Sequence, residues 1–270
     1  MTPISHIRTS YAPVQPFVAQ PEETVVYREF LPDLRLQEYI YCYWELSTTS
    51  PLTAPFHYRV VADGCMDIFF ELQDPRQSFV MGFSDAYTCF PLQGDFNYAG
   101  IRFLPGMFPR IFPVNAAGLS KQATALESVV PAAARFLADH FHEKTSILQL
   151  KSLLDGFLLE YISKALPADN RLLEAVDLII QQAGMITLEK DLPPGISSRQ
   201  LRRLFECYIG DTPKAFSKVV RFQKILQSTH SPRHIRKNKS YLDAGYYDQA
   251  HFIREFKSLY GLTPAKVFRK

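Results

Sequence analysis

Four cysteines, Cys42, Cys65, Cys89 and Cys207, are scattered along 270 residues with no C-x-x-C pair among them. That absence excludes the thiolate cluster of a zinc-dependent alkyl-transfer repair domain and reads as reduced core thiols. Histidine is no better placed to hold a metal. A metal-dependent barrel enzyme needs two histidines one residue apart on a strand, and His57 stands alone on its strand. His140 and His142 have the spacing, but they follow Pro131 to Asp139 (PAAARFLAD), a helical stretch, where residues two apart face different directions. The opening segment, Met1 to Phe17, lacks the apolar core of a secretion signal, and no run is long enough to span a bilayer. The expectation is a cytoplasmic protein with no metal, no cofactor, no catalytic residues and no membrane partner.

What is present divides unevenly. The length and the 47% hydrophobic content suit two domains, each with its own core. The formal charge of +3 conceals an asymmetry: residues 168–270 carry 18 Lys+Arg against 10 Asp+Glu, while residues 1–167 carry 12 against 17. A basic half joined to an acidic one fits phosphate binding, because cationic side chains displace the counterions of DNA.

The basic half contains a repeat at an offset of 51 residues. Ser198 to Pro213 (SRQLRRLFECYIGDTP) aligns with Gln249 to Pro264 (QAHFIREFKSLYGLTP), sharing Arg203/Arg254, Phe205/Phe256, Gly210/Gly261, Thr212/Thr263 and Pro213/Pro264. In the first copy Ser197 is a good helix cap, Leu201, Leu204 and Phe205 share one face, and Gly210 suits a left-handed stop. In the second, Asp248 caps, Phe252 and Phe256 face inward, and Gly261 stops. Each Thr-Pro then restarts a helix. A short helix with an apolar inner face and a basic outer face, preceded by another short helix, is a helix-turn-helix pattern. Two ordinary amphipathic helices would explain one copy; the matched repeat argues against that.

Residues 170–270 resemble the DNA-binding region of the bacterial AraC/XylS transcriptional regulators, which carries two helix-turn-helix subdomains. The resemblance rests on Ala244 to Phe268 (AGYYDQAHFIREFKSLYGLTPAKVF), and on SSRQLRRLF (197–205), GDTPKAF (210–216) and RFQKIL (221–226). It implies two recognition helices in successive major grooves, held apart by a linker helix, and an effect on RNA polymerase recruitment, as in an activator. The stretch from Pro213 to Leu226 reads as that linker, with Phe216, Val219, Val220, Ile225 and Leu226 in one stripe. Half-sites about 10 bp apart follow if both helices read one DNA face. Outward arginines Arg199, Arg202 and Arg203 suit guanine; Gln249, His251 and Arg254 are their counterparts, and by family position Ala250 lies against the groove. Ser197, Ser198, Lys218, Arg221, Arg236, Lys237, Lys239 and Asp248 are candidates for the DNA backbone. Any of the arginines could equally serve as a phosphate contact. Two departures from the family pattern stand out. Pro193-Pro194 shortens the helix before the first recognition helix, and Tyr241 stands where the family usually has alanine.

The N-terminal half alternates β-type runs with breakers: Val25 to Phe30, Tyr39 to Leu46, Phe56 to Asp63, Met66 to Leu72 and Tyr98 to Leu104. Many short strands suggest a barrel or jelly roll over about residues 20–115. Through DGCMDIFF (63–70) and GIRFLPG (100–106) it is similar to the cupin-like regulatory domains of the same family, which often bind a small effector. The expected fold is therefore α+β: a cupin-like β-barrel with appended helices (122–165) in a domain of residues 1–167, then an all-α double helix-turn-helix domain of residues 168–270. Arg59 and Arg102, inside apolar strands, are candidates for an anionic ligand group, with an internal salt bridge as the alternative. Ile147, Leu150, Leu154, Phe157 and Tyr161 form a heptad-like seam that serves either a homodimer or helix packing within one chain. The stretch LPADN (166–170) is the expected domain boundary, with Asn170 capping the next helix. The competing reading is a cupin-type metalloenzyme fused to a helical domain.

Overall fold

Each β-type run of the N-terminal half forms a strand in the computed structural model, which describes residues 3–16, 24–164, 169–186, 195–228 and 240–268. Helix α1 (Pro3–Ser10) is followed by β1 (Val25–Phe30), β2 (Ile40–Thr48), β3 (Leu52–Val60), β4 (Met66–Glu71), β5 (Ser78–Met81), β6 (Thr88–Gly94) and β7 (Asn97–Phe103). A short helix α2 (Phe108–Ile111) precedes β8 (Ala123–Ala125), α3 (Leu126–Val129), α4 (Pro131–His140) and α5 (Ile147–Ile162). The C-terminal region is helical: α6 (Asn170–Gln181), α7 (Ser198–Tyr208), α8 (Pro213–Ser228), α9 (Ser240–Asp243), α10 (Gln249–Tyr260) and α11 (Pro264–Val267).

The strands do not close into the expected barrel. They form a six-stranded antiparallel sheet in the order β1-β2-β7-β4-β5-β8 and a separate pair, β3-β6. Since β2 is already flanked by β1 and β7, β3 is left to pair with β6 alone.

Period-2 alternation gives the large sheet two different faces. Tyr43, Ile68, Phe70, Val80, Ile101 and Phe103 pack with the helices. Cys42, Trp44 and Leu46 pack with Phe56 and Tyr58 of the small sheet. At Gly100 on β7, a Cβ would lie 2.2 Å from the indole of Trp44. Its hydrogen therefore lets the indole lie flat across the sheet.

The heptad-like seam of α5 is used within the chain. Ser146 and Gln149 form its capping box, and Leu150, Leu154 and Leu158 are buried. Phe157 stacks on Phe136 of α4 at 4.2 Å, Tyr161 meets Phe112 at 5.1 Å, and Asp155 accepts the Tyr43 hydroxyl at 2.8 Å. Helix α6 starts one residue earlier than expected, because the carboxylate of Asp169, not Asn170, accepts from the Arg171 N–H at 3.0 Å.

The C-terminal helices share a core with the N-terminal part. Phe216 on α8 is fully buried, with ring centroids 6.5 Å from Tyr11, 6.5 Å from Phe83 and 5.9 Å from Phe205. Burying one such ring stabilises the contact by roughly 1.5–3 kcal/mol. Among the described residues, no helix is long and apolar enough to cross a membrane.

Candidate nucleic-acid interface and a cavity between the sheets

Both copies of the repeat fold as helices with capped starts and left-handed glycine stops. For α7, the Ser197 hydroxyl accepts from the Gln200 N–H at 3.3 Å, and the Gln200 side-chain oxygen accepts from the Ser197 N–H at 3.0 Å. For α10, the Asp248 carboxylate accepts from the His251 N–H at 2.6 Å. Gly210 and Gly261 have φ of 104° and 89°, a region costly for a residue with a Cβ. Leu201 and Phe205, and at the matched places Phe252 and Phe256, are buried.

The basic faces point outward. Arg199, Arg202 and Arg203 are exposed, as are Gln249, Ala250 and Arg254. Arg202 donates to Glu206 at 2.9 Å, a solvent-facing pair that DNA could replace at little cost. His251 is only half-buried: its ring lies 5.4 Å from Tyr246, and its Nε2 is 3.6 Å from Glu255.

Backbone candidates divide. Ser197 and Asp248 are exposed caps, and Ser198 beside them is exposed as well. Lys218 is turned toward Asp85 of the N-terminal part, at 3.8 Å. Arg221 is drawn inward instead of facing solvent. It donates to the Gly184 carbonyl at 3.1 Å and lies 5.3 Å over the Tyr246 ring, tying α6 to the second helix-turn-helix unit. Arg236, Lys237, Lys239 and Pro193-Pro194 lie outside the described residues. The ring of Tyr241 finds room by stacking on Phe252 at 5.9 Å. Tyr247, 88% exposed immediately before the Asp248 cap, escaped notice in the sequence; its position at the helix entry was the available signal.

Both helices dock their C-terminal ends on the N-terminal part. The Gly210 carbonyl after α7 accepts the Ser120 hydroxyl at 2.5 Å, and Lys121 bridges Asp85 at 2.9 Å and Asp211 at 3.3 Å. Although Asp85 is partly buried, Lys121 and Lys218 hold its carboxyl below the ordinary range. At α10, the Ser258 and Leu259 carbonyls accept the backbone N–H groups of Tyr87 at 3.1 Å and Ala62 at 3.3 Å. These donors satisfy carbonyls that a helix end leaves unpaired.

The loop carrying Ala62 is pinned on several sides. Gln223 of α8, 1% exposed, accepts from the Val14 N–H at 2.7 Å and donates to the Ala62 carbonyl at 2.8 Å. Gln15 exchanges two 3.0 Å bonds with the Val61 backbone and donates to Asp63 Oδ2 at 2.8 Å. The Tyr11 hydroxyl donates to the Asp63 carbonyl. Asp63 Oδ2 is in turn 3.5 Å from Arg102 Nε.

Arg102 lies at the wall of a cavity of about 350 Å3 between the two sheets, with aromatic lining from Trp44, Tyr58, Phe69, Phe79, Phe90 and Tyr98. Its Nε and Nη2 donate to Asp67 at 3.2 Å and 3.0 Å, and Nη1 lies 3.9 Å from Glu29. Burial opposes the charge of Arg102, yet Asp67, Tyr27 and Asp63 hold the guanidinium well above its usual value. Burial pushes the Asp67 carboxyl up to about 6 against the pull of Arg102. The Trp44 indole N–H donates to Asp67 at 3.0 Å. Arg59, the other ligand candidate, is not part of this wall. It lies 5.9 Å from the Tyr87 ring, and its Nε would be 3.0 Å from a Cβ at Gly261. Asp67 and the aromatic wall were not singled out in the sequence. The signal was an acid alternating with Phe69 on one strand face.

Residues 194–270 match the family model described as a helix-turn-helix domain, and residues 28–125 match one described as a domain of unknown function, DUF6597. No curated protein matches the chain. Among solved structures, the crystal structure of ToxT from Vibrio cholerae O395 aligns at 11% identity and a TM-score of 0.35, over 92% of this chain and 98% of that one.

Proposed function

We infer that this chain, which carries an AraC-type helix-turn-helix domain over residues 194–270, is a DNA-binding transcription regulator that reads a specific duplex with two helices. The observation that carries the reading is the orientation of the repeat. Both helices expose their N-terminal, polar and basic halves, while their C-terminal ends are tethered to the N-terminal part. Recognition helices meet base edges mainly with their N-terminal residues. Arg199, Arg202 and Arg203 would read guanine in one half-site. Gln249 would read adenine in the other, beside Ala250, His251 and Arg254. Ser197, Ser198 and Asp248 stand where the backbone would pass, whereas Lys218 and Arg221 serve the protein's own packing first.

The N-terminal part would sense an effector in its cavity. A ligand that moved Arg102 would disturb Asp63. Through the loop of residues 61–63, that disturbance would reach Gln223 of the linker helix and the Leu259 end of α10. The outcome would be altered placement of the reading helices in the cytoplasm, and so altered recruitment of RNA polymerase.

The test is selection of bound duplexes from a random pool with the full chain. A bipartite site with halves about 10 bp apart is expected, with affinity falling steeply as salt rises. Equal binding to unselected DNA would sink the reading.

A further inference from the structure

We propose that the cavity between the sheets receives a small organic cation, an ammonium group carried on apolar or aromatic surface. The proposal rests on the regulator reading above and names the ligand class of its effector site. Two features select that class. Six aromatic rings line the cavity, and aromatic faces attract cations through the negative charge of the ring face. The charged groups at and behind its wall are also out of balance. Arg102 and Asp67 line the cavity 3.0 Å apart, and behind that wall Asp63 lies 3.5 Å and Glu29 3.9 Å from the same guanidinium. Three carboxylates around one guanidinium leave an excess of negative charge, and a carboxylate or phosphate ligand would add to it. The arginine that the sequence offers to an anion is thus already paired with Asp67 and approached by two further carboxylates. Asp67, held between Arg102 and the Trp44 indole, is the acceptor nearest the aromatic wall.

The chain has a single tryptophan, Trp44, and it lines the cavity, so its fluorescence reports occupancy directly. Three probes of matched size separate the charge classes: phenethyltrimethylammonium, its neutral tert-butyl isostere, and phenylpropanoate. The cation should shift Trp44 emission saturably and bind about tenfold more tightly than the neutral isostere, with the anion weakest. Affinity should also fall as pH drops through about 6, because protonation of Asp67 removes the nearest negative charge. Asp67 faces Arg102 on β7, Asp63 and Cys65 in the loop before its own strand, Cys42 and Trp44 on β2, and Tyr58 on β3. Phe69→Leu keeps apolar volume and removes one ring, and should reduce the preference for the cation severalfold in a chain that still folds. Asp67→Asn should reduce it further.

Equal or tighter binding of the neutral or anionic probe overturns the proposal, as does the absence of any Trp44 response to all three. Duplex binding measured on the same samples separates the two readings. Cation binding without any DNA binding defeats the regulator and leaves the site. DNA binding without cation preference defeats the site and leaves the regulator.

Discussion

In the first copy of the repeat, the end of α7 is held by the Ser120 hydroxyl on Gly210 and by Lys121, whose side chain is 53% exposed, on Asp211. In the second copy, the end of α10 is held by backbone N–H groups of Tyr87 and Ala62 on the Ser258 and Leu259 carbonyls. Both attachments hold the C-terminal end of a helix, but by different physics. The first is partly ionic and open to salt. The second is main chain to main chain, and Ala62 sits in the same loop as Asp63, which touches Arg102 at the cavity. Of the two reading helices, the second is thus joined to the cavity by a shorter chain of bonds.

The largest expected effect strikes α8, the helix that joins the two copies. Phe216 is fully buried and meets Phe205 of the first copy together with Tyr11 and Phe83 of the N-terminal part. Phe216→Ala should cost about 3–5 kcal/mol of stability and weaken binding at both half-sites. Denaturant unfolding and footprinting measure these two effects. Loss of protection at one half-site alone would mean that the second copy does not depend on the packing of α8 under the first.

A smaller effect separates the copies. Arg202→Ala should cost about 1–3 kcal/mol of discrimination at one base position in one half-site, and Arg254→Ala a similar amount in the other. A uniform loss across all sequences would reassign the mutated residue to phosphate. A loss confined to one half-site for both mutants would break the correspondence between Arg202, Arg254 and their separate grooves.

The two repeat helices were legible in the sequence because caps, glycine stops and 3.6-residue periodicity are local. Ser197, Asp248, Gly210, Gly261 and the turn glycine Gly245, with φ of 77°, all follow from their immediate neighbours. The supports were not legible. Gln223 meets Val14 across 209 residues, and Arg221 turns inward only because Gly184 and Tyr246 converge on it. Strands β5, β6 and β8 are not among the expected runs, and β6 carries Pro91, a residue that normally breaks strands. It is tolerated there because β6 pairs on one side only, with β3. The barrel expectation failed for a related reason: the strand runs predict strands, but they do not say that β3 will leave the main sheet.

The smallest effect sharpens the difference between the two attachments. Lys121 lies between Asp85 and Asp211, and it adopts φ of 62°, a conformation that few side chains choose unless neighbours hold it. Lys121→Ala removes both ion pairs at the first copy and leaves the Tyr87 and Ala62 bonds at the second untouched. With so exposed a side chain, the expected loss of stability is about 0–1 kcal/mol. The informative quantity is its dependence on salt. At low ionic strength the mutant should show faster amide exchange at the α7 end than the parent, with α10 unchanged, and the difference should fade as salt screens the pairs in the parent. Equal loosening of both helix ends at every salt concentration would show that the loop carrying Lys121 holds the two copies as one piece, and that the distinction between an ionic and a main-chain attachment has no consequence for the reading helices.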